Sequence, residues 1–143
     1  MRRLMRGGLL LLTAGFLALT VVGCAKEAGA DEDNRPTIAI HYSKFEPANL
    51  TVRAGEPITF VLRNDDPIEH EWIIGSGDVH ERHRTGTEPY HDQVPTEVTI
   101  PAYTTRTTTL TFEASGTLTY ICHLPGHEEY GMRGTLTIVG PGT

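Results

Sequence analysis

The chain has 143 residues, enough to bury the core of one compact domain and not of two. Its 12 basic and 18 acidic residues give a net charge of −6, so it lacks the basic face that phosphate binding requires, and nucleic acid is excluded as a partner. Its two cysteines could join in a disulfide if the chain is exported.

Residues 1–23 are unlike the rest. Arg2, Arg3 and Arg6 precede the apolar run GGLLLLTAGFLALTVVG, and no acidic residue interrupts it. That order is the pattern of an export signal, not of a structural element. The run ends in VVGC, which resembles the bacterial lipoprotein box. The resemblance implies a signal peptide over 1–23, cleavage before Cys24, lipidation of Cys24 and tethering to the outer side of the cell membrane, in the periplasm or on the surface. Without the leader the charge falls to −9. An acylated Cys24 cannot pair with Cys122, which leaves a lone thiol in an oxidising compartment, where it must be buried or occupied by a metal. Residues 24–35 (CAKEAGADEDNR) have no apolar rhythm and read as a flexible tether. The folded domain is assigned to 36–143, with a Gly/Pro tail after Val139.

Short alternating runs follow. TIAIHY places Ile38, Ile40 and Tyr42 on one face, NLTVRAG offers Leu50 and Val52, and PITFVLRN offers Ile58, Phe60 and Leu62. HEWIIG supplies Trp72 and Ile74, and TEVTIP, TTRTTTLTFEA, GTLTYIC and GTLTIVG complete the set. Thr and β-branched residues dominate these runs, and Gly, Pro or Asn-Asp clusters separate them. The expected fold is all-β, an antiparallel Greek-key sandwich or barrel. Residues 76–95 break the rhythm and carry His80, His83 and His91; a short helix fits DVHERHR.

The chemistry gathers in CHLPGHEEYGM, residues 122–132. Cys122 continues the inward alternation of Leu118 and Tyr120, the Pro125-Gly126 turn returns His127 towards it, and Met132 stands just before the next strand. His70 opens HEWIIG, and strand ends in a sandwich meet at its poles. One thiolate, two imidazoles and a thioether form the soft donor set of blue-copper electron-transfer sites.

On these residues the sequence resembles a cupredoxin of the plastocyanin/azurin family, the small type 1 copper proteins, over residues 37–139. Four residues separate Cys122 from His127 and four separate His127 from Met132, a loop nearer the azurin, auracyanin and rusticyanin types than plastocyanin. FEPANLTVRAGEPITFVLRNDDPIEHEW resembles the first half of the family. The resemblance implies one copper per chain, held by His70, Cys122, His127 and Met132. It also implies a one-electron carrier without enzymatic activity, monomeric, serving redox partner proteins at the membrane surface. One departure is Glu71, which stands where familiar members carry an asparagine that ties the two ligand loops together.

Rival chemistries fit less well. Zinc prefers four firm ligands, and a thioether is a poor fourth. A binuclear copper site lacks its second cysteine, and a copper oxidase or nitrite reductase would need a further domain. A copper-buffering or copper-delivery lipoprotein is the alternative, with a second metal site at His80, His83 and His91 as its entry point. His123 alternates away from Cys122 and is expected at the surface, and His41 is read as an outward strand residue. Leu124, Pro125, Gly126 and Tyr130 offer an apolar docking patch, with Glu128 and Glu129 at its rim.

Overall fold

A computed structural model of the chain describes residues 34–86 and 94–140. The signal peptide, Cys24 and its lipidation, most of the tether and His91 lie outside the described residues.

Each alternating run becomes a strand. Chain order gives β1 (Thr37–Ile40), β2 (Phe45–Glu46), β3 (Asn49–Arg53), β4 (Pro57–Asn64), β5 (His70–Gly75) and the helix α1 (Gly77–Arg84). Then come β6 (Glu97–Ile100), β7 (Thr105–Thr111), β8 (Gly116–Ile121) and β9 (Arg133–Val139). One sheet runs β2-β1-β4-β7 and the other β3-β9-β8-β5-β6. The inward residues of the two meet as a single core: Ile38, Ile40, Ile58, Phe60 and Leu62 from one side, Trp72, Ile74, Tyr120 and Leu136 from the other. None of these is more than 1% exposed. At about 1.5–3 kcal/mol for each large side chain taken out of water, this layer is the main source of stability. Tyr120 adds a polar anchor, its hydroxyl donating to Pro47 O at 2.8 Å.

The all-β sandwich is as expected, with two refinements. Most pairings are antiparallel, but β1 runs parallel to β4 and β3 parallel to β9. The chain leaves the first sheet at β2, pairs β3 in the second, and returns as β4, so β4 comes back alongside β1 in the same direction. Tyr42 does not continue the buried face of Ile38 and Ile40 but is 81% exposed. β1 stops at Ile40, and Tyr42 and Ser43 adopt φ of 52° and 53°, a turn that swings the ring outward.

The helix α1 forms where DVHERHR predicted one. Asp78 lies in its first turn and Arg82, His83 and Arg84 in its last, so side-chain charge opposes the helix dipole at both ends. It sits directly on β5, because Gly75 has no side chain; a Cβ there would lie 2.7 Å from that of Val79. This covering explains why β5 is buried along its whole length. It also turns His80 and His83 inward.

Candidate metal centre

The register of β5 against β8, with Ile73 opposite Ile121, sets the start of β5 beside the end of β8. His70 and Cys122 therefore share one pole of the sandwich. The loop between β8 and β9 folds back on itself by its main chain. His127 N–H donates to Leu124 O at 3.0 Å, Met132 N–H to His127 O at 3.0 Å, and Cys122 N–H to Met132 O at 3.2 Å. Gly126, with φ of 84°, makes the turn that L side chains resist. Each of the three candidate ligands in the loop is thus bonded, through its own backbone, to another.

The side chains converge. His70 Nδ1 lies 3.3 Å from His127 Nδ1, and Cys122 Sγ lies 3.2 Å from the same nitrogen. One ligand atom from each of His70, Cys122 and His127 falls within 4.8 Å of the others. His70, Cys122 and Met132 are fully buried, and His127 is half-buried. Burial pushes the Cys122 thiol up to about 11, against N–H donors from Glu71 and Leu124 that pull the other way. Burial likewise lowers the pKa of His70, outweighing the carboxylate beside it. His70 Nε2 is 3.0 Å from Asp66 Oδ2 and donates its hydrogen there, which leaves the Nδ1 lone pair aimed at the other donors. The donor set fits a soft cation: two imidazole nitrogens and a sulfur lie within 4.8 Å of one another at this pole.

Two supporting residues were not singled out from sequence, although both sit in the Asn64-Asp65-Asp66-Pro67 turn. Asp66 is buried and accepts N–H bonds from Tyr42 at 2.8 Å and Ser43 at 2.7 Å as well as from His70. Burial alone would raise its pKa, but these donors together hold it below the usual carboxylate range. Asn64 is 1% exposed; its amide donates to Ile68 O, Ile100 O and Pro101 O, and its oxygen accepts from Asp66 N–H. The tie that Glu71 seemed to break is made by the main chain instead. Glu71 N–H donates to Cys122 Sγ at 3.3 Å, a bond indifferent to the side chain at position 71. Replacing Asp66 by alanine is expected to weaken copper binding about 10–100-fold while sparing the visible band, since no donor atom is lost. Competition with a chromophoric chelator measures this, and unchanged affinity would show that Asp66 does not orient His70.

Elsewhere the structure corrects one expectation and sharpens another. His123 does point away from Cys122, but its side chain is only 5% exposed, because α1 covers that face. His80 Nδ1 lies 2.9 Å from His123 Nε2, and the rings of His83 and His123 stack at 5.3 Å. Burial, then neighbouring His80, pushes His123 down to about 4, and burial lowers His80 as well. His80 and His83 are therefore brought together with His123. At the rim, Glu128 is engaged by Arg84 through bonds of 3.0 and 2.7 Å, so of the two acids Glu129 is the exposed one. Tyr130 is 77% exposed beside the loop, and His41 faces outward as expected.

Comparison with known proteins agrees with this geometry. The family model described as a cupredoxin-like domain matches residues 12–138. The copper-resistant cuproprotein CopI of Rubrivivax gelatinosus is 32% identical over 98 residues, covering 66% of this chain and 59% of the relative. Auracyanin-B of Chloroflexus aurantiacus is 33% identical over 105 residues, covering 64% and 43%. The chain thus spans only about half the length of these two relatives. Among solved structures, sodium-dithionite-reduced auracyanin from the photosynthetic bacterium Roseiflexus castenholzii superposes with a TM-score of 0.63 at 22% identity, covering 74% of this chain and 97% of that one. Auracyanin B gives 0.60 at 24%, covering 73% and 88%. At these identities the structural likeness establishes the fold.

Proposed function

The chain belongs to the cupredoxin-like domain family, and from that premise we propose that it is a mononuclear type 1 copper protein working as a one-electron carrier. The observation that carries the proposal is the convergence of His70 Nδ1, Cys122 Sγ and His127 Nδ1 at one buried pole, with Met132 on the same hydrogen-bonded loop. Copper held there would supply a one-electron couple. The protein holds the donors in place before and after the change. Asp66 fixes the tautomer of His70, Glu71 N–H fixes the sulfur, and three main-chain bonds fix the loop. A site that moves little between two oxidation states needs little reorganisation, and that makes transfer fast. Met132, buried on the same loop, would complete the donor set with a thioether and tune the potential of the bound metal.

His127 is the ligand closest to solvent, and the electron path runs out through it. Pro125 and Tyr130 are exposed around it, with Leu124 and Gly126 half-buried between, and this patch is where redox partners would dock. The export-type leader ending at Cys24 supports a position outside the cytoplasm with a lipid anchor on the membrane. Among the described residues no helix is long and apolar enough to cross a bilayer.

A second reading, copper buffering or delivery, draws support from the buried histidine cluster and from the likeness to proteins named copper-resistant. Voltammetry of the copper-loaded full-length protein separates the two. A reversible one-electron wave with fast self-exchange supports the carrier. Copper that leaves on reduction and passes to a chelator contradicts it and favours handling.

A further inference from the structure

We propose that His80 and His123 form a second metal site, separate from the centre at His70, Cys122 and His127, and that it takes a copper ion. Three contacts run along one chain of groups. His80 Nε2 faces Thr119 O at 3.2 Å, His80 Nδ1 faces His123 Nε2 at 2.9 Å, and His123 Nδ1 faces Glu128 Oε2 at 3.4 Å. Two of these contacts are hydrogen bonds and the third brings a ring nitrogen up to a carboxylate, and two neutral imidazoles carry only two hydrogens for the three. In any pair of neutral tautomers one lone pair faces another or faces an oxygen, and a positive charge on the pair, a proton or a metal ion, is needed to relieve it. A cation bound by Nδ1 of His80 and Nε2 of His123, lying to one side of the line between them, does so. Both inward nitrogens then present lone pairs to it, and both outward N–H groups donate, one to a backbone carbonyl and one to a carboxylate.

That outward pattern is the one metal-bound imidazoles show, where the far N–H is held by a carbonyl or carboxylate that fixes the ring. The spacing agrees too. Two nitrogens each about 2.0–2.1 Å from a shared ion lie about 3 Å apart when they are neighbours around it. His83 supplies the wall: its Nδ1–H donates to Val79 O at 2.8 Å, and its ring stacks on His123 at 5.3 Å. A groove of about 580 Å³ opens beside His123, with His83, Arg84 and Glu128 also among its walls, and water entering there would complete the coordination. Imidazole donors suit copper, nickel and zinc, and among divalent ions of this row copper binds such sites most tightly.

The arrangement differs from the His80, His83 and His91 set expected from spacing along the helix. Its second ligand comes from the residue after Cys122, so the two sites adjoin through one peptide unit. The donor atoms of His80, His83 and His123 do not form a group within 4.8 Å, so His83 is a packing neighbour rather than a third donor.

The test is to load the full-length protein with Cu(II), desalt it, count copper per chain and record visible and paramagnetic resonance spectra. Two coppers are expected, the second with a paramagnetic signal distinct from that of the coloured centre. His80→Ala and His123→Asn should each lose that second signal and one copper while keeping the visible band, which certifies their folding. A wild-type count of one copper overturns the proposal without recourse to variants. A second copper that survives in a variant with an intact visible band overturns it as well. Because the first centre is read from the visible band and the second from its own signal, failure of one is distinguishable from failure of the other.

Discussion

Cys122→Ser is expected to abolish the intense visible absorption of the copper-loaded protein and leave the fold in place. The sulfur is fully buried, accepts the Glu71 N–H at 3.3 Å and lies 3.2 Å from His127 Nδ1. A serine hydroxyl fits the same space and can accept the same N–H, so the stability loss is one weakened hydrogen bond, about 1 kcal/mol. For a domain of this size that lowers the melting temperature by roughly 4–8 °C. The colour, in contrast, depends on covalency between a thiolate and copper, which an alkoxide oxygen does not reproduce. Spectra of wild type and variant after identical copper loading, with circular dichroism as the folding check, decide the matter. A variant that keeps the band would place the chromophore elsewhere.

The largest loss of stability is expected from Trp72→Ala. Trp72 is fully buried on β5, with Phe60 of β4 at 5.1 Å on one side and Tyr120 of β8 at 6.0 Å on the other, so its ring joins the two sheets. Removing it leaves a cavity in the middle of the sandwich and costs about 3–5 kcal/mol, a large share of the roughly 5–15 kcal/mol that a domain possesses. The indole also carries a liability: Nε1 is buried and has no hydrogen-bond partner among the described residues. Such an orphan donor costs about 1–3 kcal/mol. Trp72→Phe keeps most of the packing and deletes the orphan, so it should be far milder than the alanine variant. Urea melts followed by circular dichroism measure both, since the chain has no other tryptophan to report. Equal losses for the two variants would contradict this division between packing and polar burial.

Much of the sandwich and of the candidate metal centre was legible because the signals were local. PITFVLRN and HEWIIG alternate or run apolar within one strand, and they form β4 and β5 with the same bounds. Cys122, His127 and Met132 lie in one loop whose spacing carries its own chemistry. What stayed hidden depends on distant parts of the chain. The two-residue β2 is too short to show a period. The parallel pairing of β1 with β4 follows from a crossing between sheets that no single run encodes. His123 looked exposed because alternation says which way a strand residue points, not what lies there; α1, some 40 residues earlier in the chain, covers it. Asp66 read as a turn residue, since its bond to His70 is evident only once the turn has closed.

The pole formed by His70, Cys122, His127 and Met132 is proposed to hold a type 1 copper. The most direct measurement adds Cu(II) to the full-length protein in the presence of equimolar Zn(II) and records the visible and paramagnetic resonance spectra. An intense thiolate-to-copper band is expected, together with the narrow hyperfine splitting of a covalent copper–thiolate bond. A colourless protein that retains zinc and excludes copper from this pole would contradict it.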